Sequence, residues 1–305
     1  MSYREKSYYN YKGYSQIATQ GIDASKLSID ELKSMWHKTL NDGFHGICFS
    51  MYEDGQEPGD DISFDQVERR VKILKPHVEA IRSFSCIEGN EYVPQAAKKH
   101  GLKTLVGAWL SDDKDDNEKE IEGLIDLAKA GHVDVAAVGN EVLYRNDLTL
   151  EELLGYIKRV KDALSGLNIP VGYVDAYYEF SRHPELVEQT DVVLANLYPF
   201  WEGCAIEYAL GHMQAMYGQV VDAAQGKPII ITETGWPSEG GGFEGALAGD
   251  AAAMKYFIDA INWTQENDIP IFYFSSFDES WKTGDEGDVG AYWGLWDKHE
   301  NLKYN

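Results

Sequence analysis

Two stretches of the 305-residue chain decide its fold, VAAVGNE at Val135–Glu141 and PIIITETGWP at Pro228–Pro237. Each contains an apolar run with the β-branched bias of a strand that is buried on both faces of a parallel sheet. Each run ends in a glutamate, Glu141 in the first and Glu233 in the second. A core strand has no structural need of a residue that is usually exposed, so the pattern indicates two carboxylates at the rim of a sheet.

Around these stretches, short apolar runs alternate with longer amphipathic segments. The spacing predicts strands near residues 46–50, 79–84, 102–108, 133–139, 170–174, 191–197, 228–233 and 270–276. It predicts helices near residues 64–75, 92–100, 117–130, 149–164, 182–188, 205–224 and 246–267. Eight strands separated by helices are the α/β pattern of a single (β/α)8, or TIM, barrel, whose crossovers bring all carboxyl ends of the strands to one face. By this count Glu141 and Glu233 follow strands four and seven on that face.

The chain ahead of the first strand is predicted to be an N-terminal helical extension. Residues 1–24 are polar and tyrosine-rich, and we expect them to form an arm without regular structure. From Ser28, the segment SIDELKSMWHKTL begins with a capping box and continues with apolar residues at helical spacing. We therefore divide the chain into an extension at residues 1–44, packed on the barrel surface, and a catalytic (β/α)8 domain at residues 45–305.

Composition excludes several classes of partner. A formal net charge of −24 and a pI near 4.6 disfavour nucleic acids and anionic membrane surfaces, whereas a neutral polysaccharide is compatible with both. No apolar run approaches the length of a membrane span, and the first residues do not resemble a signal peptide. We expect a soluble monomer, secreted or periplasmic if a signal has been removed and cytoplasmic otherwise.

Neither a metal nor another cofactor is expected. The cysteines, Cys48, Cys86 and Cys204, are odd in number and lack CxxC spacing, so we expect small buried hydrophobic residues. The acidic run Asp112–Glu122 lacks the glycine and the ligand spacing of an EF-hand loop. Because acidic residues are favoured at helix N-termini, the run is predicted to begin a helix.

An ordered set of motifs resembles the signatures of glycoside hydrolase family 17, the β-1,3-glucanase family. The set consists of VGNE, then TETGWP about ninety positions later, then FDESWK at Phe277–Lys282. Four further blocks are similar to the fungal and bacterial branch of that family, namely GICFSMY at Gly46–Tyr52, IRSFS at Ile81–Ser85, NLYPFW at Asn196–Trp201 and AYWGLWD at Ala291–Asp297. The resemblance runs from Gly46 to the C-terminus.

The resemblance implies that Glu141 is the acid/base and Glu233 the nucleophile of a double displacement. Retaining hydrolysis needs a carboxylic acid that protonates the leaving oxygen and a carboxylate about 5 Å away that attacks the anomeric carbon. The acid needs a pKa raised by burial or a neighbouring charge, and the nucleophile needs hydrogen bonds that keep it ionised. Tyr198, at the end of strand six, is expected to donate one such bond to Glu233, with a rim aromatic as the alternative.

Other polar residues are assigned by the same resemblance. Asn140 is similar to the residue that bonds the 2-hydroxyl of the reacting sugar, although an asparagine there also fits a simple loop cap. Glu279 and Lys282 match polar residues that line the family's cleft near the nucleophile. A lysine there would help to keep Glu233 charged, and the alternative is a surface ion pair of little consequence.

Tryptophans that follow strand ends are candidates for stacking on glucose rings. Trp201, Trp236 and Trp281 lie just past strands six, seven and eight, where we expect sugar platforms. For Trp109, Trp293 and Trp296, packing in the core is the preferred interpretation. The glycine cluster at Ser238–Gly245 is expected to be a flexible connection to the last long helix, with a mobile lid as the alternative.

These residues predict hydrolysis of β-1,3-glucosidic bonds in laminarin-like β-glucans or their oligosaccharides. A β-1,3-glucan transglycosylase would use the same carboxylates and is the first alternative. An inactive carbohydrate-binding barrel is the second, and the presence of both glutamates with Tyr198 and Lys282 argues against it. A barrel isomerase or aldolase that uses Lys282 would need a phosphate-binding glycine loop after strand seven or eight, where TETGWPSE is bulky and acidic.

Overall fold

Eight parallel strands close into a barrel. The computed structural model describes residues 19–284 and 286–305, so most of the arm expected at residues 1–24 lies outside the described residues. The barrel strands are β1 (Phe44–Cys48), β2 (Val78–Ser83), β3 (Lys103–Ala108), β4 (Val135–Asn140), β5 (Val171–Ala176), β6 (Val192–Asn196), β7 (Ile229–Thr234) and, in the last position, β10 (Ile271–Tyr273). Their order around the barrel is β1-β10-β7-β6-β5-β4-β3-β2. This architecture confirms the predicted (β/α)8 barrel.

Helices surround the barrel and connect its strands. They are α1 (Ile29–Asp42), α2 (Phe64–Leu74), α3 (Tyr92–Lys99), α4 (Lys114–Lys129), α5 (Val142–Arg145), α6 (Leu150–Ala163), α7 (Glu179–Arg182), α8 (Pro184–Gln189), α9 (Ala209–Ala223) and α10 (Asp250–Glu266). The acidic run does begin α4, and the side chain of its N-cap Asp113 accepts hydrogen bonds from the backbone of Asp115 and Asp116. One helix was predicted near residues 182–188, but two short helices meet there, because Pro184 starts a new helix at its first position.

The register of the barrel brings the two glutamates to the same end. Glu141 directly follows β4, and its backbone N–H donates to Val174 O at 2.8 Å, in the neighbouring strand β5. Glu233 lies within β7, where it pairs with Asn196, the last residue of β6. Since all these strands are parallel, both carboxylates stand at the carboxyl-terminal rim.

The segment before β1 packs as an integral helix. Ser28 and Glu31 form the predicted capping box at the start of α1. The buried face of α1 lies against α10, with the ring of Trp36 5.7 Å from that of Phe257. The end of the chain covers the same helix, because the ring of Tyr304 lies 5.0 Å from Trp36. The boundary at residues 44 and 45 stays a prediction.

The glycine cluster after β7 is held in a defined conformation. It forms a short antiparallel hairpin of β8 (Gly242–Phe243) and β9 (Ala246–Leu247). The backbone N–H of Gly245 donates to Gly203 O at 3.0 Å, and that of Gly241 donates to Asp288 Oδ2 at 3.0 Å. The connection to the last long helix thus contains a hairpin that is hydrogen-bonded to two other segments, and its flexibility stays a prediction.

Three further expectations concern the described part of the chain. Cys48, Cys86 and Cys204 are free and buried, as predicted. Among the described residues, no group of three or more histidine, cysteine, aspartate or glutamate side chains is arranged to hold a metal ion. Within the same residues, every helix is too short or too polar to cross a membrane.

Candidate active site

Glu141 is presented to the barrel mouth by a sharp change of backbone direction. Gly139 has a φ of 87°, and Glu141 itself has a φ of 52°, in the left-handed region that non-glycine residues seldom adopt. A Cβ at position 139 would lie 2.8 Å from a methyl carbon of Val142, so glycine is needed there. This turn ends β4 and begins α5, and it holds the carboxylate in place at an energetic cost that is typical of functional sites.

Glu233 is buried and accepts hydrogen bonds from three side chains. Its Oε1 accepts from Arg82 Nη1 at 2.6 Å and from Asn196 Nδ2 at 3.0 Å. Its Oε2 accepts from the hydroxyl of Tyr198 at 2.8 Å, as the sequence predicted. The residue is 6% exposed, so these donors replace the water that would otherwise solvate a negative charge.

One amide group joins the two carboxylates. Asn196 Nδ2 donates to Glu141 Oε1 at 2.9 Å and to Glu233 Oε1 at 3.0 Å. Laid end to end, these bonds span about 6 Å, which is an upper bound on the distance between the two Oε1 atoms. Retaining glycosidases place their carboxyl groups about 5–5.5 Å apart, and inverting enzymes need roughly 6.5–9.5 Å. The bound agrees with the retaining arrangement.

The electrostatic environment keeps Glu141 protonated at neutral pH. Burial raises the pKa of the Glu141 carboxyl to about 8, and the negative charges of Glu233 and Asp175 add to that rise. The amide of Asn196 and the positive charge of Arg145 act in the opposite direction and do not reverse it. A carboxyl that keeps its proton at neutral pH is what general acid catalysis requires.

Arg82 supplies a buried positive charge between the strands. In addition to Glu233, it donates through Nη1 to Thr232 O at 3.0 Å and through Nη2 to Asn140 Oδ1 at 2.7 Å. The residue is 1% exposed, and its guanidinium carbon lies 4.3 Å from the centre of the Phe84 ring. The guanidinium group of Arg82 thus compensates the negative charge of Glu233 and also orients the side chain of Asn140.

The bond from Arg82 determines which atoms of Asn140 remain available. Asn140 is 8% exposed, and its Oδ1 is occupied by the guanidinium. Its Nδ2 has no partner among the described residues, and an amide N–H is a suitable donor to a sugar hydroxyl. The geometry is compatible with the expected contact to a substrate and argues against a simple loop cap.

Glu279, which is buried, and Lys282, which is partly buried, form an ion pair beside the site. Lys282 Nζ lies 2.8 Å from Glu279 Oε2 and 4.7 Å from the centre of the Phe274 ring. Burial opposes the charge of Lys282, but the carboxylates of Glu279, Glu286 and Glu233 raise its pKa above the ordinary lysine value. The pair is therefore part of the charge balance around Glu233, and the alternative of a surface ion pair does not describe it.

Two of the three tryptophans proposed as platforms retain exposed surface. Trp201 is half-buried and packs against Trp293, with 5.5 Å between the ring centres. Trp281 is also half-buried, meets Tyr52 edge-on and donates from Nε1 to Glu279 Oε1 at 3.3 Å. Both rings lie at the carboxyl-terminal end of the barrel, where the sequence placed them.

Trp236 does not fit the role expected from the sequence. It is 1% exposed, its Nε1 donates to Leu247 O at 2.9 Å, and its ring packs edge-on against Phe200 at 5.2 Å. A ring that is covered on all sides offers no face to a sugar. The placement of Trp236 in a stacking position was wrong, because this indole turns inward from the end of β7 and supports the loop above it.

The other three tryptophans divide differently from the expectation. Trp293 and Trp296 are 3% and 4% exposed, so their predicted core packing is confirmed. Trp109 was also expected in the core, but it is 39% exposed directly after β3. That expectation was wrong, since the chain leaves the barrel at Trp109 and the indole remains at the surface.

Comparison with known proteins agrees with this geometry. A model of the BtgE/BtgC glycoside hydrolase domain matches residues 46–294, which is most of the chain. The chain belongs to the BtgE/BtgC glycoside hydrolase family. The matched range includes both carboxylates, Asn196 and the ion pair of Glu279 and Lys282, and the protein is a glycoside hydrolase.

Several individual proteins are similar to this BtgE/BtgC glycoside hydrolase. A glucan 1,3-beta-glucosidase of Saccharomyces cerevisiae is 28% identical over 268 residues, covering 80% of this chain and 85% of that protein. One from Arthroderma benhamiae is 31% identical over 263 residues, covering 78% of this chain and 83% of that protein. The solved structure of a glycoside hydrolase family 17 beta-1,3-glucanosyltransferase from Rhizomucor miehei has a TM-score of 0.78 and 31% identity, covering 87% of this chain and 97% of that one.

Sequence reasoning missed two central residues of this glycoside hydrolase, Arg82 and Asn196. Both lie inside blocks that carried the family resemblance, IRSFS and NLYPFW. A signal was present in each case, because an arginine in the strand VEAIRS and an asparagine at the end of VVLAN are polar residues in strands that are otherwise mostly apolar. Their partners could not be read from the sequence, since four different strands bring the contacts together.

Proposed function

We propose that this glycoside hydrolase cleaves β-1,3-glucosidic bonds in laminarin-like β-glucans, with retention of configuration, as a member of glycoside hydrolase family 17. The observation that carries the mechanism is the pair of hydrogen bonds from Asn196 Nδ2 to Glu141 and Glu233. They limit the separation of the two Oε1 atoms to about 6 Å, which supports the retaining arrangement over the wider spacing of inverting enzymes. Support for the substrate comes from the names of the similar enzymes and from the order of the motifs.

In the first step, an oxygen of Glu233 attacks the anomeric carbon, and the bond from that carbon to the glycosidic oxygen breaks. Glu141 gives its proton to that oxygen, so the leaving sugar departs as a neutral alcohol. With a pKa raised by burial to about 8, Glu141 holds the required proton at neutral pH. The product of this step is an ester between the sugar and Glu233.

In the second step, the carboxylate of Glu141 removes a proton from an attacking water. The water oxygen bonds to the anomeric carbon, the ester bond breaks, and Glu233 is released as a carboxylate. Arg82, Tyr198 and Lys282 stabilise that carboxylate as it forms, through two direct hydrogen bonds and one nearby charge. Asn140 Nδ2 is placed to donate to the 2-hydroxyl of the reacting sugar, and Trp201 and Trp281 offer surfaces for neighbouring sugars.

A second candidate function is transfer of the glycosyl group to another glucan. The chemistry is the same until the second step, in which a sugar hydroxyl replaces water. The similarity that favours it is the Rhizomucor miehei glucanosyltransferase, of which an active-site mutant has been solved in complex with laminaritriose. Incubation with laminarin and chromatography of the products distinguishes the two: shorter chains alone indicate hydrolysis, and chains longer than the input indicate transfer. Unchanged laminarin would refute both.

The roles of the two carboxylates are tested by chemical rescue. Glu141→Ala should retain attack on an aryl β-laminaribioside with an activated leaving group, which needs no protonation. In the presence of azide, it should yield the β-glycosyl azide, because azide attacks the intermediate without help from a base. Glu233→Gly should lose turnover of β-linked substrates and should accept an α-glycosyl fluoride only for transfer, since no covalent intermediate can form.

Two outcomes would contradict this assignment. The reverse pattern of rescue would exchange the roles of Glu141 and Glu233. Wild-type activity in both variants would place the chemistry at other residues.

A further inference from the structure

Trp109 is an exposed aromatic ring at the catalytic end of the barrel. All eight tryptophans of the chain lie in the described residues, and Trp109, at 39%, is the most exposed of them. It directly follows β3, so it stands on the same rim as Glu141 and Glu233. The exposed part of the ring does not pack in the hydrophobic core.

The ring is clamped from one side. The guanidinium carbon of Arg145 lies 4.4 Å from the centre of the Trp109 ring. Arg145 is fixed in turn, because Nη2 donates to Leu110 O at 2.7 Å and Nε donates to Asp147 Oδ2 at 2.6 Å. A third bond, from Nη1, reaches Asn140 O. An indole held in this way loses little conformational freedom when a ligand binds, and 39% of the surface of Trp109 is exposed.

The position of the ring relative to the carboxylates determines which part of a substrate it can meet. Strand β3 is the neighbour of β4, with Ala108 opposite Val138, and lies directly across the barrel from β7. Trp109 is therefore on the side of Glu141 that faces away from Glu233. In the proposed mechanism Glu141 protonates the leaving oxygen, so the departing sugar lies on this side.

We propose that Trp109, clamped by Arg145, is a stacking platform for a glucosyl unit on the leaving-group side of the cleaved bond. This inference rests on the proposed function, and it extends that function to the part of the glucan that leaves in the first step and to the sugar that accepts in transfer. The indole face opposite Arg145 packs against the apolar C–H face of a glucose ring. The platform adds binding energy only when a sugar occupies that side.

The test compares substrates with and without a leaving sugar. Trp109→Ala should lower kcat/KM on laminari-oligosaccharides by about tenfold, which corresponds to one lost aromatic contact. It should leave fluoride release from β-laminaribiosyl fluoride in plain buffer unchanged, because fluoride occupies no sugar site. When laminaribiose is added as acceptor, its transfer product should fall by a similar factor. Trp109→Phe should restore most of both losses.

A matched control is available at the opposite end of the barrel. Leu167 is 44% exposed in the turn before β5, and Leu167→Ala should change none of these rates. If circular dichroism shows that Trp109→Ala does not fold, Trp109→Gln takes its place, since it keeps the side-chain length without an aromatic face.

Each outcome of these measurements either supports or overturns the Trp109 platform. A loss confined to substrates with a leaving or accepting sugar, with recovery in Trp109→Phe, supports the platform. Equal losses on the fluoride and on the oligosaccharides, or no loss on either, would overturn it while the proposed function stands. A wild-type enzyme that turns over neither substrate would overturn the proposed function, and the platform with it.

Discussion

Asp175 is a third carboxyl at the site, beside the two that are proposed to react. It is the penultimate residue of β5, it is fully buried, and burial raises its pKa to about 7. Its Oδ1 accepts from the backbone of Ala176 at 2.7 Å, and its Oδ2 accepts from the hydroxyl of Tyr173. That hydroxyl accepts in turn from the backbone of Leu143 at 3.0 Å, two residues after Glu141. Asp175 thus supports the turn that carries Glu141 and adds a negative charge near it.

Replacement of this carboxyl should move the pH profile of the enzyme. The charge of Asp175 contributes, after burial and Glu233, to the raised pKa of Glu141. In Asp175→Asn that repulsion is absent, so Glu141 loses its proton at a lower pH. The basic limb of kcat/KM on laminari-oligosaccharides should therefore shift to lower pH, measured as a full pH profile.

The control for this prediction is Glu120→Gln. Burial raises the pKa of Glu120 to about 7 as well, but Glu120 is bonded to the backbone of Cys86 and does not contribute to the shift of Glu141. Its replacement should leave the basic limb in place. A limb that moves upward in Asp175→Asn, or one that does not move, would show that Asp175 has no electrostatic effect on the acid.

Among single residues, the sequence could predict those whose type is unusual for their position. Glu141 and Glu233 were found in this way, and Tyr198 was found from its block. The direction of a side chain could not be predicted, because position past a strand end is shared by Trp236, which turns inward, and Trp281, which keeps exposed surface. For the same reason Trp109 was assigned to the core.

Helix α1 shows how an added element becomes part of a barrel. Trp36 has no exposed surface and lies between Phe257 of α10 and Tyr304 near the end of the chain. The neighbouring His37 Nε2 lies 3.1 Å from Tyr304 O. The helix is therefore held by both the last long helix and the C-terminal residues, which are distant in sequence.

Removal of the Trp36 side chain should destabilise the whole fold. Trp36→Ala leaves a cavity between three elements, and large-to-alanine changes of this kind cost about 3–5 kcal/mol. Urea denaturation should show this loss in the free energy of unfolding, while activity well below the transition is preserved.

Ile29→Ala is the matched control on the same helix. Ile29 is 51% exposed, and its replacement should cost less than about 0.5 kcal/mol. Similar small losses in both variants would contradict the view that α1 is integral to the barrel.

Elements were predictable where one local pattern decides them. The capping box at Ser28 and the apolar runs of the strands are such patterns, and they located α1 and all eight barrel strands. The hairpin in the glycine cluster was not predictable, because its conformation depends on Gly203 and Asp288, which lie far away in the sequence.

The molecule as a whole carries an excess of acidic side chains, and several of these carboxyl groups are buried. Burial raises the pKa of five carboxyls. The value is about 8 for Glu141, about 7 for Asp175, about 7 for Glu120 and about 6 for Asp278, and that of Asp259 is also above its ordinary value. Other carboxyls have lowered values, such as Glu68 and Glu152, both at about 2 because of hydrogen bonds to lysines. The composition predicted the acidity of the protein, but only the fold separates these two groups.

These opposite shifts predict a maximum of stability near pH 5. A carboxyl whose pKa is raised in the folded state keeps a proton that the unfolded chain releases, so the free energy of unfolding falls as pH rises from about 4.5 to 8. Carboxyls with lowered values contribute stability above about pH 4.5 and lose it below. The formal net charge of −24 at pH 7 adds self-repulsion on the alkaline side. Calorimetry from about pH 4 to 9 should show the highest Tm near pH 5 and a steady decline above it.

Addition of about 0.5 M sodium chloride should raise Tm more at pH 8 than at pH 5, because the net charge is small near the pI of 4.6. In Glu120→Gln the decline should be shallower, since one of the buried acids can no longer ionise. A Tm that rises between pH 5 and pH 8 would contradict the raised pKa values of the buried carboxyls.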